Sequence, residues 1–163
     1  MASTYTPIAT TTLGSAASSY TFSSIPSTYT DLVLVANCGQ VTGNNSFRFQ
    51  INSDTGTNYS YTFVQGNGTA TGSGRTANDT SGEVESLMNT ALTGTFIIHF
   101  MNYANTTTYK TMIGRGSEAS QKVDATVTLW RSTSAINSIK VYPGGGQSFL
   151  TGSTFTLYGV KNA

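Results

Sequence analysis

The sequence predicts an all-β fold, an antiparallel β-sandwich of jelly-roll type with nine or ten short strands. Three observations carry that expectation. Short segments with apolar or aromatic residues at every second position recur roughly every 10 to 15 residues, separated by Gly, Asn, Asp and Pro. No long window shows the 3.6-residue apolar period of a helix. The composition is rich in residues that suit pleated surfaces and turns: 29 Thr, 20 Ser, 17 Gly and 12 Asn among 163 residues, with 9 Tyr and 8 Phe.

The strands follow in chain order. Residues 1–13 are an N-terminal arm or edge strand, Thr-rich and partly alternating from Tyr5 to Leu13. Residues 19–24 place Tyr20 and Phe22 on one face before Pro26 stops them. Asp31 to Ala36 (DLVLVA) is nearly all apolar, as in a strand covered on both sides. In residues 46–52, Phe47, Phe49 and Ile51 alternate with Arg48 and Gln50. Residues 58–65 repeat this with Tyr59, Tyr61 and Phe63, and the turn residues Ser53-Asp54-Thr55-Gly56 predict a hairpin between the two. Residues 66–82 carry five glycines and predict a long polar loop. Glu83 to Leu92 (EVESLMNTAL) reads equally as one helical turn or as an irregular connection. Residues 95–103 and 107–114 form a second hairpin. Residues 123–131 alternate Val123, Ala125, Val127 and Leu129 toward the interior. Residues 136–142, the turn Pro143-Gly144-Gly145-Gly146 and residues 153–160 complete the chain. Strands without crossover helices pair antiparallel, and this number needs two stacked sheets. The length fits one domain over residues 1–163. With 37% apolar residues, the core must rest on aromatics together with Leu32, Val33, Leu34, Ile97, Ile98, Leu129, Ile139 and Val141.

Composition also narrows the function. Only 9% of residues are charged, with a net charge of +1, against roughly 25% charged residues in an average domain. A nucleic-acid surface is not expected from that balance. The single Cys38 excludes an internal disulfide, and the single His99 excludes any site needing two. The first residues lack a basic and an apolar region, so no signal peptide is expected. No apolar run reaches the length of a membrane span, and no membrane insertion is expected. Five N-x-S/T sequons, at Asn44, Asn58, Asn67, Asn78 and Asn105, reflect the Asn/Thr-rich composition.

Few residues are spaced for chemistry. His99 sits mid-strand with no acid placed by sequence to orient it, and no G-x-S-x-G is present. Cys38, after an apolar run, reads as a buried small hydrophobe. Glu83 and Glu85 would share a face of a strand, the spacing a glycosidase pair could use, though solvated loop acids are the plainer reading. Residues 52–56 resemble a calcium loop but lack its second acid and distal Glu, so an Asx turn is expected. Phosphate-loop glycines are not followed by Lys-Ser/Thr. Neither a catalytic residue, nor a cofactor, nor a metal is expected. An uncharged Thr/Ser/Asn surface favours a structural, self-associating protein over an enzyme.

The stretches Tyr5 to Leu13 and Ser23 to Leu32, the element Asn102 to Thr111, Trp130-Arg131-Ser132 with Ile136 to Ile139, and Gly152 to Lys161 resemble small virion proteins of tailed phages, common among phages of marine bacteria and cyanobacteria. Together these cover most of the chain outside the Gly-rich stretch. The resemblance implies a structural role on the virion and brings no catalytic residues. It implies either a capsid decoration protein at capsomer junctions, expected as a homotrimer on the major capsid protein, or a tail-fibre module that binds a host glycan. No collagen-like, coiled-coil or β-helical shaft is present, which favours decoration. The expected contacts are the arm, through Tyr5, Pro7 and Ile8, and the Gly-rich stretch, through Asn67, Arg75 and Asn78. For glycan stacking the candidates are Tyr59, Tyr61 and Tyr103, each with core packing as the competing reading.

Overall fold

A computed structural model describes residues 4–161. Among these are twelve strands: β1 (Tyr5–Thr12), β2 (Tyr20–Phe22), β3 (Asp31–Cys38), β4 (Asn45–Ile51), β5 (Tyr59–Gly66), β6 (Thr71–Asp79), β7 (Gly82–Met88), β8 (Gly94–Phe100), β9 (Lys110–Glu118), β10 (Lys122–Trp130), β11 (Ile139–Pro143) and β12 (Thr154–Val160). A 3-10 turn at Gly144–Gly146 is the one helical element among the described residues. The strands form an antiparallel β-sandwich. One sheet has eight strands in the order β1-β12-β3-β8-β9-β10-β5-β6, and the other has four in the order β2-β11-β4-β7.

The core lies where the small sheet covers the middle of the large one. Phe47, Phe49 and Ile51 of β4, with Ile139 and Val141 of β11, face Leu32, Leu34 and Ala36 of β3 and Phe96, Ile98 and Phe100 of β8. The expected alternation in β4 holds, so Arg48 points to the other face. Aromatic rings bridge the sheets: Phe47 stacks on Phe96 at 4.8 Å, Phe49 meets Phe100 edge-on at 5.6 Å, and Phe149 packs on Phe155 at 4.8 Å. Such pairs add about 0.5–1.5 kcal/mol beyond their burial. The β8–β9 hairpin is present as expected.

Four local expectations are corrected. β4 and β5 do not pair: β4 joins β11 and β7, whereas β5 joins β10 and β6. Asn52 and Ser53 both have left-handed φ, 52° and 57°, which turns the chain out of the small sheet. Asp54 then pins it to the large one, accepting from Trp130 Nε1 at 2.7 Å, Gly56 N–H at 2.8 Å and Asn58 Nδ2 at 2.9 Å. The 52–56 segment is thus the expected Asx turn, with its carboxylate engaged.

Residues 66–82 are not a loop. Asn67 Oδ1 accepts from the Thr69 and Ala70 N–H groups to close a tight turn, with Gly68 at φ 87°. β6 then returns along β5. Its glycines are covered from the neighbouring strand, because a Cβ on Gly74 would lie 2.7 Å from the Phe63 ring. An aromatic side chain laid across an edge glycine replaces the packing that glycine lacks. Phe63→Ala should therefore free β6, with amide exchange over Thr71–Arg75 about fivefold faster, the ~1 kcal/mol of a cross-strand pair. Unchanged exchange there would refute the covering role.

Residues 83–92 are neither a helical turn nor irregular throughout. Their first half lies in β7, paired to β4 with a bulge between Ser46 and Phe47. β6 and β7 account for the two strands beyond the expected ten.

The phase of β10 is also opposite to expectation. Asp124, Thr126, Thr128 and Trp130 are buried, while Val123 and Val127 are exposed. A strand has one phase. Trp130 stacks on Tyr59 at 6.4 Å and bonds Asp54, which fixes it inside and places the valines outside.

Candidate functional site

Beyond the edge formed by β7, the interior turns polar. Arg48 forms an ion pair with Glu83, reaches Asp79 at 3.5 Å and donates to Ser81 Oγ at 3.1 Å. Tyr61 O–H donates to Glu83 at 2.8 Å. Glu85 pairs with Lys122 at 3.6 Å, and its N–H donates to Asp124, which also accepts from Thr126 Oγ1 at 2.7 Å. Burial, and then the Glu83 carboxyl hydrogen-bonded to it, push Glu85 up to about 7 against the pull of Lys122. Burial likewise raises the Tyr61 hydroxyl. The two glutamates do share this seam, Glu83 taken by Arg48 and the Tyr61 hydroxyl and Glu85 by Lys122.

The other reactive groups are held in structural contacts. Cys38 is buried with its thiol 3.6 Å from Met88 Sδ, and burial pushes its pKa up, the opposite of an activated nucleophile. His99 lies on the outer face of the large sheet with Nε2 3.1 Å from Asp31, which also accepts from the Asn102 N–H. Among the described residues, no group of three or more His, Cys, Asp or Glu is placed to hold a metal ion.

The glycan-stacking candidates are corrected. Tyr59, Tyr61 and Tyr103 are buried, at 0%, 6% and 0% exposure. Each hydroxyl has an internal partner: the Ile51 backbone for Tyr59, Glu83 for Tyr61 and the Pro26 carbonyl for Tyr103. A sugar cannot reach their rings.

The six interface candidates are scattered. Tyr5 and Pro7 are exposed on edge strand β1, with a bulge between Pro7 and Ala9. Ile8 packs partly against the core. Asn67 closes the β5–β6 turn, Arg75 is exposed on β6, and Asn78 accepts from Arg131 at 2.9 Å. Met1–Ser3 of the proposed arm lie outside the described residues.

What sequence reasoning missed is the outer face of the large sheet. His99, Ile113 and Val127 stand in register across β8, β9 and β10, and the row continues through Thr62 to Arg75. The next row runs Ile97, Arg115, Ala125, Val64. Val64, Val123, Val127 and Ile113 are 59%, 54%, 50% and 49% exposed. A shallow groove of about 740 Å³ runs past Val64, Gly72 and Val123. Smaller ones of about 260 and 210 Å³ lie on either side of Ile97 and Arg115. The alternation of β10 points its valines toward the core, and the opposite phase in the structure is what creates this face.

Comparison with known proteins adds little. No family model matches the chain. No curated protein matches it. One solved structure with some similarity is that of Scytalido-glutamic peptidase with a peptide-based transition-state analogue. It is 11% identical, with a TM-score of 0.29, and the match covers 93% of this chain and 66% of the peptidase. The chain thus spans just under two thirds of the peptidase's length. Likeness at that level carries no argument about activity.

Proposed function

We propose that this chain is a non-catalytic structural protein of a tailed-phage virion, a capsid decoration protein seated on a shell protein through the outer face of its eight-stranded sheet. The observation that carries the reading is the half-exposed apolar patch of Val64, Val123, Val127 and Ile113, spread over three neighbouring rows of one sheet face. Clustered apolar side chains of this kind mark interaction sites. The resemblance of the sequence to small virion proteins supports the setting.

Charge points to the occupant. The face carries Arg75 and Arg115, and among the described residues its one carboxylate, Asp31, is held by His99 and the Asn102 N–H. Two copies meeting here would oppose cations with no free acid between them. A different protein with an apolar patch and an acidic rim fits better. The alternative, a tail-fibre module, needs a sugar site other than Tyr59, Tyr61 and Tyr103.

Ile113→Glu/Val127→Glu tests this. The variant should fold, since both side chains face solvent, and its copy number on purified particles should fall at least about tenfold, the roughly 1.4 kcal/mol of one well-buried contact. Unchanged occupancy overturns the reading. So does a stable multimer of the isolated wild-type chain that the variant dissolves, which would make a second copy the occupant.

A further inference from the structure

The outer face of the small sheet carries a second, chemically different surface. In β11, Ile139 and Val141 enter the core, so Lys140 and Tyr142 point outward beside Arg48 of β4. Between these and the Gly144–Gly146 turn lies a groove of about 430 Å³, walled further by Ser19, Asn45 and Gln147. That volume is within the usual range for small-ligand sites.

We propose that this groove binds an anionic saccharide, carboxylated or sulfated. Three observations carry it. First, one of its two lining cations has no carboxylate partner among the described residues. Arg48 is neutralised by Glu83 and Asp79, whereas Lys140 has no carboxylate within ion-pair distance among the described residues; its Nζ lies 5.3 Å from the Tyr142 ring centroid. A single lysine without a carboxylate partner suits a singly charged sugar unit and is too little for a polyphosphate chain. Second, the remaining lining consists of short hydroxyl and amide groups, which match sugar hydroxyls in both donor and acceptor capacity. Third, the wall is built in advance. Gly145 has φ 65°, and a Cβ there would lie 2.6 Å from Asn45 Oδ1, so the turn rests directly on the Asn45 amide. Gln147 is tied to Thr42 through its side-chain oxygen, and Asn45 donates to Gln40 at 3.4 Å. A groove fixed before binding loses less entropy on holding its ligand.

This inference does not rest on the docking role, which uses the opposite sheet. The test is affinity electrophoresis of the full chain through gels holding alginate, chondroitin sulfate or neutral dextran, with sodium sulfate as a competitor. Retardation is expected in the two acidic gels and absent in dextran. Lys140→Glu should weaken it at least tenfold and Tyr142→Ala about fivefold, with unchanged circular dichroism. Lys161→Glu is the control. It makes the same charge change at a lysine likewise set over a ring, 5.6 Å from the centroid of Tyr29 and outside the groove. The proposal is overturned if no acidic gel retards the chain, if dextran retards it equally, if Lys161→Glu weakens binding as much as Lys140→Glu, or if sodium sulfate at matched ionic strength abolishes retardation, leaving an adventitious ion only.

Discussion

Phe47→Ala is expected to cost about 4 kcal/mol of folding free energy, within the range for a buried aromatic truncated in a core. The reason is position as much as size. Phe47 has 0% exposure and belongs to the small sheet, yet its ring contacts both Phe96 of the large sheet at 4.8 Å and Phe149 at 6.0 Å. The contact runs on from Phe149 to Phe155 and from Phe155 to Tyr20, 5.7 Å away. Removing Phe47 breaks a ring-to-ring path that joins the two sheets. The backbone on either side is held by pairing to β11 and β7, so the cavity cannot collapse freely. A loss of this size would remove much of the 5–15 kcal/mol typical of a domain. Urea unfolding should show it as a lower midpoint at an unchanged slope. Val127→Ala, on the outer face, should change stability by less than about 0.5 kcal/mol. A loss under about 1.5 kcal/mol for Phe47→Ala would mean that the sheets are held together elsewhere.

The sequence made most of this core legible. β3, β4 and β8 carry continuous or alternating apolar residues, and Leu32, Leu34, Phe47, Phe49, Ile51 and Ile98 turn inward as expected, whereas Ile97 lies on the outer face. The failures have physical causes. In β10 the valines and Trp130 fall on opposite faces, and no single strand can bury both. Periodicity favoured four apolar residues over one, whereas the chain buries the one large ring and lines the rest of that face with Thr and Asp for the polar seam. In β6, glycine content argued for a loop, and the cover supplied by Phe63 comes from another strand. Glu83 to Leu92 has helix-forming residues, but pairing with β4 decides its first half. The Ser53–Gly56 turn signal was genuine; what it could not convey was that the chain changes sheets there.

Sites were less legible than strands. Tyr carries an apolar ring and a polar handle, so Tyr59, Tyr61 and Tyr103 suit a core or a sugar platform equally in sequence. Only the partners Ile51, Glu83 and Pro26, each distant along the chain or in another element, decide for the core. Lys140 and Tyr142 were readable as outward-facing from the alternation with Ile139 and Val141. Their meeting with Asn45 across the sheet was not. The outer apolar face needed the correct phase of β10 before it could be seen.

Arg48→Met should cost about 3 kcal/mol near pH 8 and clearly less near pH 5. Glu83 is 5% exposed, and in the native chain its carboxyl takes the Arg48 guanidinium and the Tyr61 hydroxyl. Without the guanidinium, a buried carboxylate remains beside Glu85 and Asp79, and the folded chain must protonate it or lose stability. Acid supplies that proton, so the loss shrinks as pH falls. The wild type should already slope in the same direction. A carboxyl whose folded pKa stands above its unfolded value keeps its proton more tightly when folded, so its contribution is complete below the unfolded value and disappears as pH rises through the folded one. Glu85, raised from 4.5 to about 7, places that window between those two values. Its side chain is 25% exposed and faces Lys122, so after screening the decline is about 1–2 kcal/mol. Glu85→Gln should flatten it. Arg48→Met/Glu83→Gln, which removes both charges, should return to within about 1 kcal/mol of the wild type, because the cost comes from orphaning a charge rather than from losing an attraction. Urea titrations at the two pH values separate the cases. Equal losses for Arg48→Met at both, or a double variant as unstable as the single one, would show that Arg48 acts through the packing of its alkyl stem and not through its charge.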